Sequence, residues 1–567
     1  MKLKNIFALN VLAATLAACG GGDINLNPST SVGDTTTNIT NPPATVQPVN
    51  PCAQYSASGQ TFQGIFSGGN CTYPVTFVAD SRPLTVDLLI PELADGGLHI
   101  FEDSLFVGED VNASAAAAGK RVPQDGEGPT LTIAAGAKLA FSASEDYIMI
   151  ARGSRIVAEG TKAKPIVISA VTDLRDNAAT EGDRGLWGGI LINGNGLTNK
   201  CNDTQRAPSG TNPHGCHITA EGRPSTYGGN NNDESSGVLR YVVVKHAGFE
   251  VVDGSELNGI TFNAVGAGTR VEYVQTYTTQ DDAFEMFGGA VDLKYVVAVN
   301  TGDDSFDFSE GWTGNIQFAL SVATSGGNTC VEADNTGSNR ADNLTPLTKG
   351  RISNLTCVTT NVKTGQGIHP SAKGDSEGVL YREGTFFEMY NSIVTSSMDG
   401  MASNECFEVI DSEGDFTIDA IEAGWSVATS NIIACTEPTK RGLFTPKDAA
   451  PGYVSPNAGF DLKNWLTSNN NAVIDTTVAG ALPATVLQGL NTNKRAYITA
   501  PAFADGNGTS ITVPVFDVTR LRDIFSASDV PALGNSGVSS FFTEVNFIGA
   551  VSAGNDWTEG WTVGLDE

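Results

Sequence analysis

Residues 273–289 read YVQTYTTQDDAFEMFGG, and residues 295–311 read YVVAVNTGDDSFDFSEG. The two stretches superimpose at a constant offset of 22: Tyr273 on Tyr295, Asp281 on Asp303, Asp282 on Asp304, Phe284 on Phe306, and Glu285 on Asp307. A fixed period built from short alternating strands, with no apolar face at helical spacing, is the mark of a solenoid whose side chains return to the same point on each coil. Extended backwards, the step reaches Phe262, with Asn263 in the place of Glu285; extended forwards, it carries Val296 onto Phe318. Parallel strands stack about 4.8 Å apart. Phe262, Phe284 and Phe306 are therefore expected to form one interior ladder, while strand alternation turns Asn263, Glu285 and Asp307 outward.

Earlier coils carry the same style at another spacing. LTIAAGAKLAF (131–141) and IMIARGSRIVA (148–158) align 17 apart, and PIVIS (165–169) supplies a further strand. RYVVVKHAGFE (240–250) repeats the tyrosine coil with a turn three residues shorter, and the segments 172–186, 198–236, 322–350 and 359–380 interrupt the pattern as loops. Gly185, Gly188, Gly189, Gly194 and Gly196 lack the lysine of a phosphate-binding loop and read as tight coil corners. The expected organisation is a signal peptide (1–18), an anchor and flexible linker (19–51), a β-rich N-terminal cap (52–124), an all-β parallel β-helix (125–440) and a mixed C-terminal cap or small domain (441–567). Trp557 and Trp561 are expected to fasten the last segment onto the solenoid.

The N-terminus sets the compartment. Lys2 and Lys4 precede an apolar run from Ile6 to Ala18 that is too short to span a bilayer and fits a signal peptide. The run ends in Leu16-Ala17-Ala18-Cys19, which resembles the bacterial lipobox. That resemblance implies a diacylated Cys19 as the first mature residue, and Gly20 in place of a retention aspartate favours the outer membrane. Two or three acyl chains give stable attachment. The formal net charge of -30 becomes -32 once Lys2 and Lys4 leave with the signal, which excludes nucleic acid as a partner. Eight cysteines remain after Cys19, and export makes disulfides the expected use. Local solenoid contacts favour the neighbouring pairs Cys52–Cys71, Cys201–Cys216, Cys330–Cys357 and Cys406–Cys435.

The strongest polar constellation is Asp281, Asp282, Glu285, Asp303, Asp304 and Asp307. Stacked carboxylates raise one another's pKa values unless they are neutralised. Calcium, a hard cation that takes carboxylate and carbonyl oxygens, is the candidate cofactor, against a solvated acidic ladder without metal. Lyase chemistry would need a base, for which Lys245 and His246 are the nearest candidates. Hydrolase chemistry would need a carboxyl pair at a suitable separation, for which Asp282 and its neighbours are formally eligible.

The rungs TIAAG, RGSRIVAEGT, PIVIS and RGLWGGILINGNG (184–196), with the closing NDWTEGWTVG (555–564), resemble the right-handed parallel β-helices of pectate lyases and, more closely, β-helix lipoproteins of bacterial envelopes. The resemblance implies a pectin-lyase-like fold and does not supply a lyase's catalytic Arg/Lys arrangement. The leading expectation is a noncatalytic lipoprotein whose rigid β-helix binds a polysaccharide or an envelope protein. The alternatives are a calcium-assisted polysaccharide lyase or glycoside hydrolase, and a structural or adhesion protein of the envelope.

Overall fold

The computed structural model describes residues 50–252, 255–324, 327–336, 344–360, 375–396, 405–411, 416–443, 451–452, 454, 457–478, 487–488, 497–498, 502–504, 508–521 and 540–565. Cys19 lies outside the described residues. The chain winds as a three-faced parallel β-helix. The first face is a ten-stranded sheet, every pairing of which is parallel, running from Leu105–Val107 through Gly189–Asn193, Ile260–Asn263, Phe284–Phe287, Phe306–Ser309 and Gly327–Ala333 to Lys440–Leu443.

The other two faces share one eighteen-stranded sheet, because long strands such as Arg270–Tyr277 and Asp292–Val299 bend once and continue. The bend falls on a residue with positive φ in each coil: Tyr241, Tyr273, Tyr295, Phe318, Asn354 and Asn391. This left-handed region is costly for aromatic residues. Stacking offsets the cost, since successive rings from Tyr241 to Tyr295 lie 4.5 Å apart.

Residues 70–107 already pair into parallel coils, through Asn70–Tyr73, Leu88–Ile90, His99–Phe101 and Leu105–Val107. The interior of the first face is two apolar ladders. One runs Ile190, Ile260, Phe284, Phe306, Val331, Val379 and Phe407; the other runs Ile192, Phe262, Met286, Phe308, Ala333, Tyr381 and Val409. The expected ladder through Phe262 is thus corrected: Phe262 stacks on Met286, and Ile260 stacks on Phe284. The corner after Asn263 spans residues 264–269, whereas the next spans only 288–291, so this coil is longer than the period of 22. Asn263 consequently stacks on Phe287 and is buried, donating to Asn193 Oδ1 at 3.0 Å instead of facing solvent. At Gly189 (φ +102°) a Cβ would sit 2.0 Å from the Asn258 carbonyl, so the glycine allows two coils to approach.

Three expected disulfides are present: Cys52–Cys71, Cys201–Cys216 and Cys406–Cys435. The fourth pair is corrected. Cys330 and Cys357 are buried free thiols that hydrogen-bond each other, and burial pushes the Cys357 thiol well above its usual pKa, keeping it protonated.

Ala472–Asp475 adds a rung to Ile432–Cys435 beyond the first-face coils. Residues 541–565 then run along the bends and are read by side-chain amides. Gln275 and Gln317 each exchange two hydrogen bonds with the backbone of Val563 and Thr543, at 2.8–2.9 Å. Trp557 and Trp561 meet the tyrosine stack edge-on.

Candidate metal centre

The corner that leads from the third face into the first is where the repeated Asp-Asp pairs fall. At this corner Asn258, Asp282, Asp304 and Thr329 occupy successive coils. Asn258 Oδ1 accepts from Asp282 N–H at 3.1 Å, Asp282 Oδ1 from Asp304 N–H at 2.8 Å, and Asp304 Oδ1 from Thr329 N–H and hydroxyl at 2.5 and 2.6 Å. One oxygen of each aspartate therefore closes a corner that the strand ladder cannot, as buried backbone N–H groups require. Glu285, Asp307 and Glu332 stack in register on the outer side of the first face.

These groups converge on a trough of about 320 Å³, lined by Glu221, Glu256, Asp281, Asp282, Glu285, Asp303, Asp304, Asp307, Asn328, Glu332 and Arg382. Among the described residues, no apolar one lines it. Every residue of the expected acidic constellation is brought together here. Sequence reasoning missed Glu221 and Glu256, which arrive from irregular segments, and Glu332 and Arg382. Glu332 was within reach, because it stands one coil after Asp307, displaced by three residues from the 22-residue step.

The electrostatics of this arrangement are one-sided. Ligand oxygens of Asp281, Asp282 and Asp303, and of Asp282, Asp304 and Asp307, lie within 4.8 Å of one another in each set. Two unit charges at that separation repel by about 3.5 kcal/mol at an effective dielectric near 20. A handful of such pairs would exceed the roughly 5–15 kcal/mol that holds a domain folded. The carboxyls accordingly stay protonated or take up cations.

Burial first, and neighbouring carboxylates second, push Asp282, Glu285, Asp304 and Asp307 well above the usual carboxylate range; burial, opposed by Arg382 and helped by Asp334 and Asp303, pushes Glu332 up to about 8. Among the described residues Arg382 is the one cation of the lining, and it is clamped by Asp334 at 2.8 Å and by Glu332. Although burial opposes it, these partners hold its guanidinium above its ordinary range. Asp307 Oδ1 is buried without a hydrogen-bond partner. Two overlapping carboxylate triads sharing Asp282 suit a hard divalent cation with flexible oxygen coordination.

The candidate bases sit elsewhere. Lys245 Nζ is bound to both oxygens of Asp173 at 2.7–2.8 Å, and the buried His246 donates from Nδ1 to the Asp183 carbonyl at 2.6 Å. Burial lowers the His246 pKa. Neither residue lines the trough. Trp557 and Trp561 are also remote from it, each nearly buried and hydrogen-bonded through its indole N–H to a backbone carbonyl.

A three-faced coil with an acidic, polar corner on its first face defines a parallel β-helix protein. The model of the pectate-lyase-like beta helix domain matches residues 119–433, more than half of the chain, and the chain belongs to that family. No curated protein and no solved structure matches it.

Proposed function

We propose that the protein is an exported lipoprotein, anchored through Cys19 at the outer membrane, whose β-helix is a noncatalytic scaffold. In this reading the acidic trough takes up divalent cations, calcium foremost, and the loaded face binds a polysaccharide or an envelope protein. The observation that carries the reading is the convergence, among the described residues, of nine carboxyl side chains and a single, already clamped, arginine on one cavity. Lyase action would call for a free base beside a bound uronate, and among the described residues the lining supplies none; Lys245 and His246 are committed to other partners.

Calorimetric titration of the exported chain with calcium, repeated on Asp281→Asn/Asp303→Asn, tests the cation step. Saturable binding that weakens at least about tenfold in the double variant is expected. No heat and no change in stability with calcium would end this reading. Incubation with a glycan panel separates scaffold from enzyme: binding without release of reducing or unsaturated ends supports the scaffold. Turnover that disappears in Glu332→Gln would establish the calcium-assisted hydrolase or lyase alternative instead. For the anchor, Cys19→Ser should lose palmitate labelling and partition into the soluble envelope fraction.

A further inference from the structure

Beneath the trough, the same corner holds, on two successive coils, a pair of side chains that meet across the helix interior. On one coil they are Ser305 and Ser321, whose hydroxyl oxygens lie 2.8 Å apart. On the next coil the register puts Cys330 over Ser305, one residue before the Phe306–Val331 pair, and Cys357 over Ser321. The two thiols occupy the serines' place and hydrogen-bond each other. Two coils further on, Cys406 stands at the position of Cys330, one residue before Phe407 in the Val331–Val379–Phe407 ladder, and there it is bonded to Cys435. One corner of the solenoid thus carries a disulfide and, two coils away, two facing cysteines that are still thiols.

We propose that Cys330 and Cys357 are a redox pair that passes between dithiol and disulfide, and that the bridged form holds the trough in its tighter cation-binding state. The second half of this proposal rests on the cation reading of the trough given above. The connection between the two is short. Thr329, adjacent to Cys330, gives its N–H and hydroxyl to Asp304 Oδ1. A cavity of about 10 Å³ beside the thiols is walled by Cys330, Cys357, Asp303 and Asn328, and the last two also line the trough. A Cys330–Cys357 bond would tie the start of the strand Gly327–Ala333 to the third face. It would thereby fix Thr329 and Glu332 with respect to the aspartates, and such pre-ordering raises affinity by removing part of the ordering cost.

The oxidant is a disulfide of the exported compartment, either a thiol–disulfide exchange protein or glutathione disulfide. When the corner opens to the oxidant, one cysteine gives up its proton to solvent and attacks as the thiolate, giving a mixed disulfide and releasing one thiol. The second cysteine then displaces the other half, so that the Cys330–Cys357 bond forms, the oxidant leaves as two thiols, and two electrons and two protons have passed to it.

The exported chain, equilibrated across a series of glutathione:glutathione disulfide ratios, is acid-quenched, alkylated and mapped by mass spectrometry. The same series is repeated on chain refolded in each buffer, so that burial of the thiols cannot mask the equilibrium. The expected result is that Cys330 and Cys357 pass from doubly alkylated to bridged within the series. Calcium should bind about fivefold more tightly to the bridged form. Cys330→Ser/Cys357→Ser should bind calcium with no redox dependence. Double alkylation at every ratio, in both native and refolded chain, overturns the redox pair. Superimposable calcium titrations of the two forms overturn the coupling and leave the pair. Absence of calcium binding in both forms sinks the cation reading and the coupling together, while the alkylation map still decides the pair.

Discussion

At the scale of single residues, Asp282 and Asp304 do two jobs with their two oxygens. One oxygen closes the corner by accepting a backbone N–H from the next coil, and the carboxyl as a whole adds charge to the trough. Substitution should separate these contributions. Asp304→Asn keeps an acceptor for Thr329 and removes a charge, whereas Asp304→Ala leaves a buried N–H unpaired at a cost of about 1–3 kcal/mol. In chelator at pH 8 the asparagine variant is expected to be the more stable of the two by urea denaturation; equal stabilities would contradict the corner-closing role. The raised carboxyls also set a pH dependence. A carboxyl with a folded-state pKa above its unfolded value binds more protons folded than unfolded, so its stabilising effect is complete below the unfolded pKa and is lost as pH rises through the folded one. With Glu332 moving from 4.5 to about 8, chelated protein should lose stability between those values, and calcium should flatten the profile. Thermal melts at pH 5 and pH 8, with and without calcium, check the sign.

At the scale of elements, the rungs depend on stacked large apolar side chains facing inward. Phe306 is fully buried between Phe284 and Val331, so Phe306→Ala should cost about 3–5 kcal/mol, measurable by chemical denaturation. The C-terminal segment depends instead on side-chain amides reading its backbone. Gln317→Ala removes both hydrogen bonds to Thr543, each worth about 1 kcal/mol, and should speed limited proteolysis near residues 541–551 while leaving the denaturation midpoint of the coils almost unchanged. Equal protease resistance in variant and parent would show that the segment is held by its other contacts, among them Gln275, Asn354, Trp557 and Trp561.

At the scale of the whole molecule, a β-helix places equivalent side chains one strand spacing apart along its length, so charge repeated in sequence becomes charge concentrated in space. A ligand that binds only the folded form stabilises it in proportion to the logarithm of its concentration over Kd. Calcium at about a hundredfold over Kd should therefore add about 2.7 kcal/mol of stability. The gain should be visible as a rise in melting temperature that chelator reverses and that Asp281→Asn/Asp303→Asn diminishes.

The sequence by itself determined the winding. The repeats around Tyr273 and Tyr295 fix the parallel coil, because period-two alternation and a constant coil length leave few other ways to bury those aromatics. It also determined the acidic ladder from Asp281 to Asp307, since residues in register on adjacent coils must be neighbours. Only the tertiary structure decided which coil departs from the period, and so that Phe262 meets Met286 and Asn263 turns inward, because two extra corner residues shift register without marking the strands themselves. It alone brought Glu221, Glu256 and Arg382 to the trough, sent Lys245 to Asp173, and left Cys330 and Cys357 facing each other as thiols. Those contacts join segments of no fixed spacing, and their geometry depends on how irregular loops fold back over a regular core.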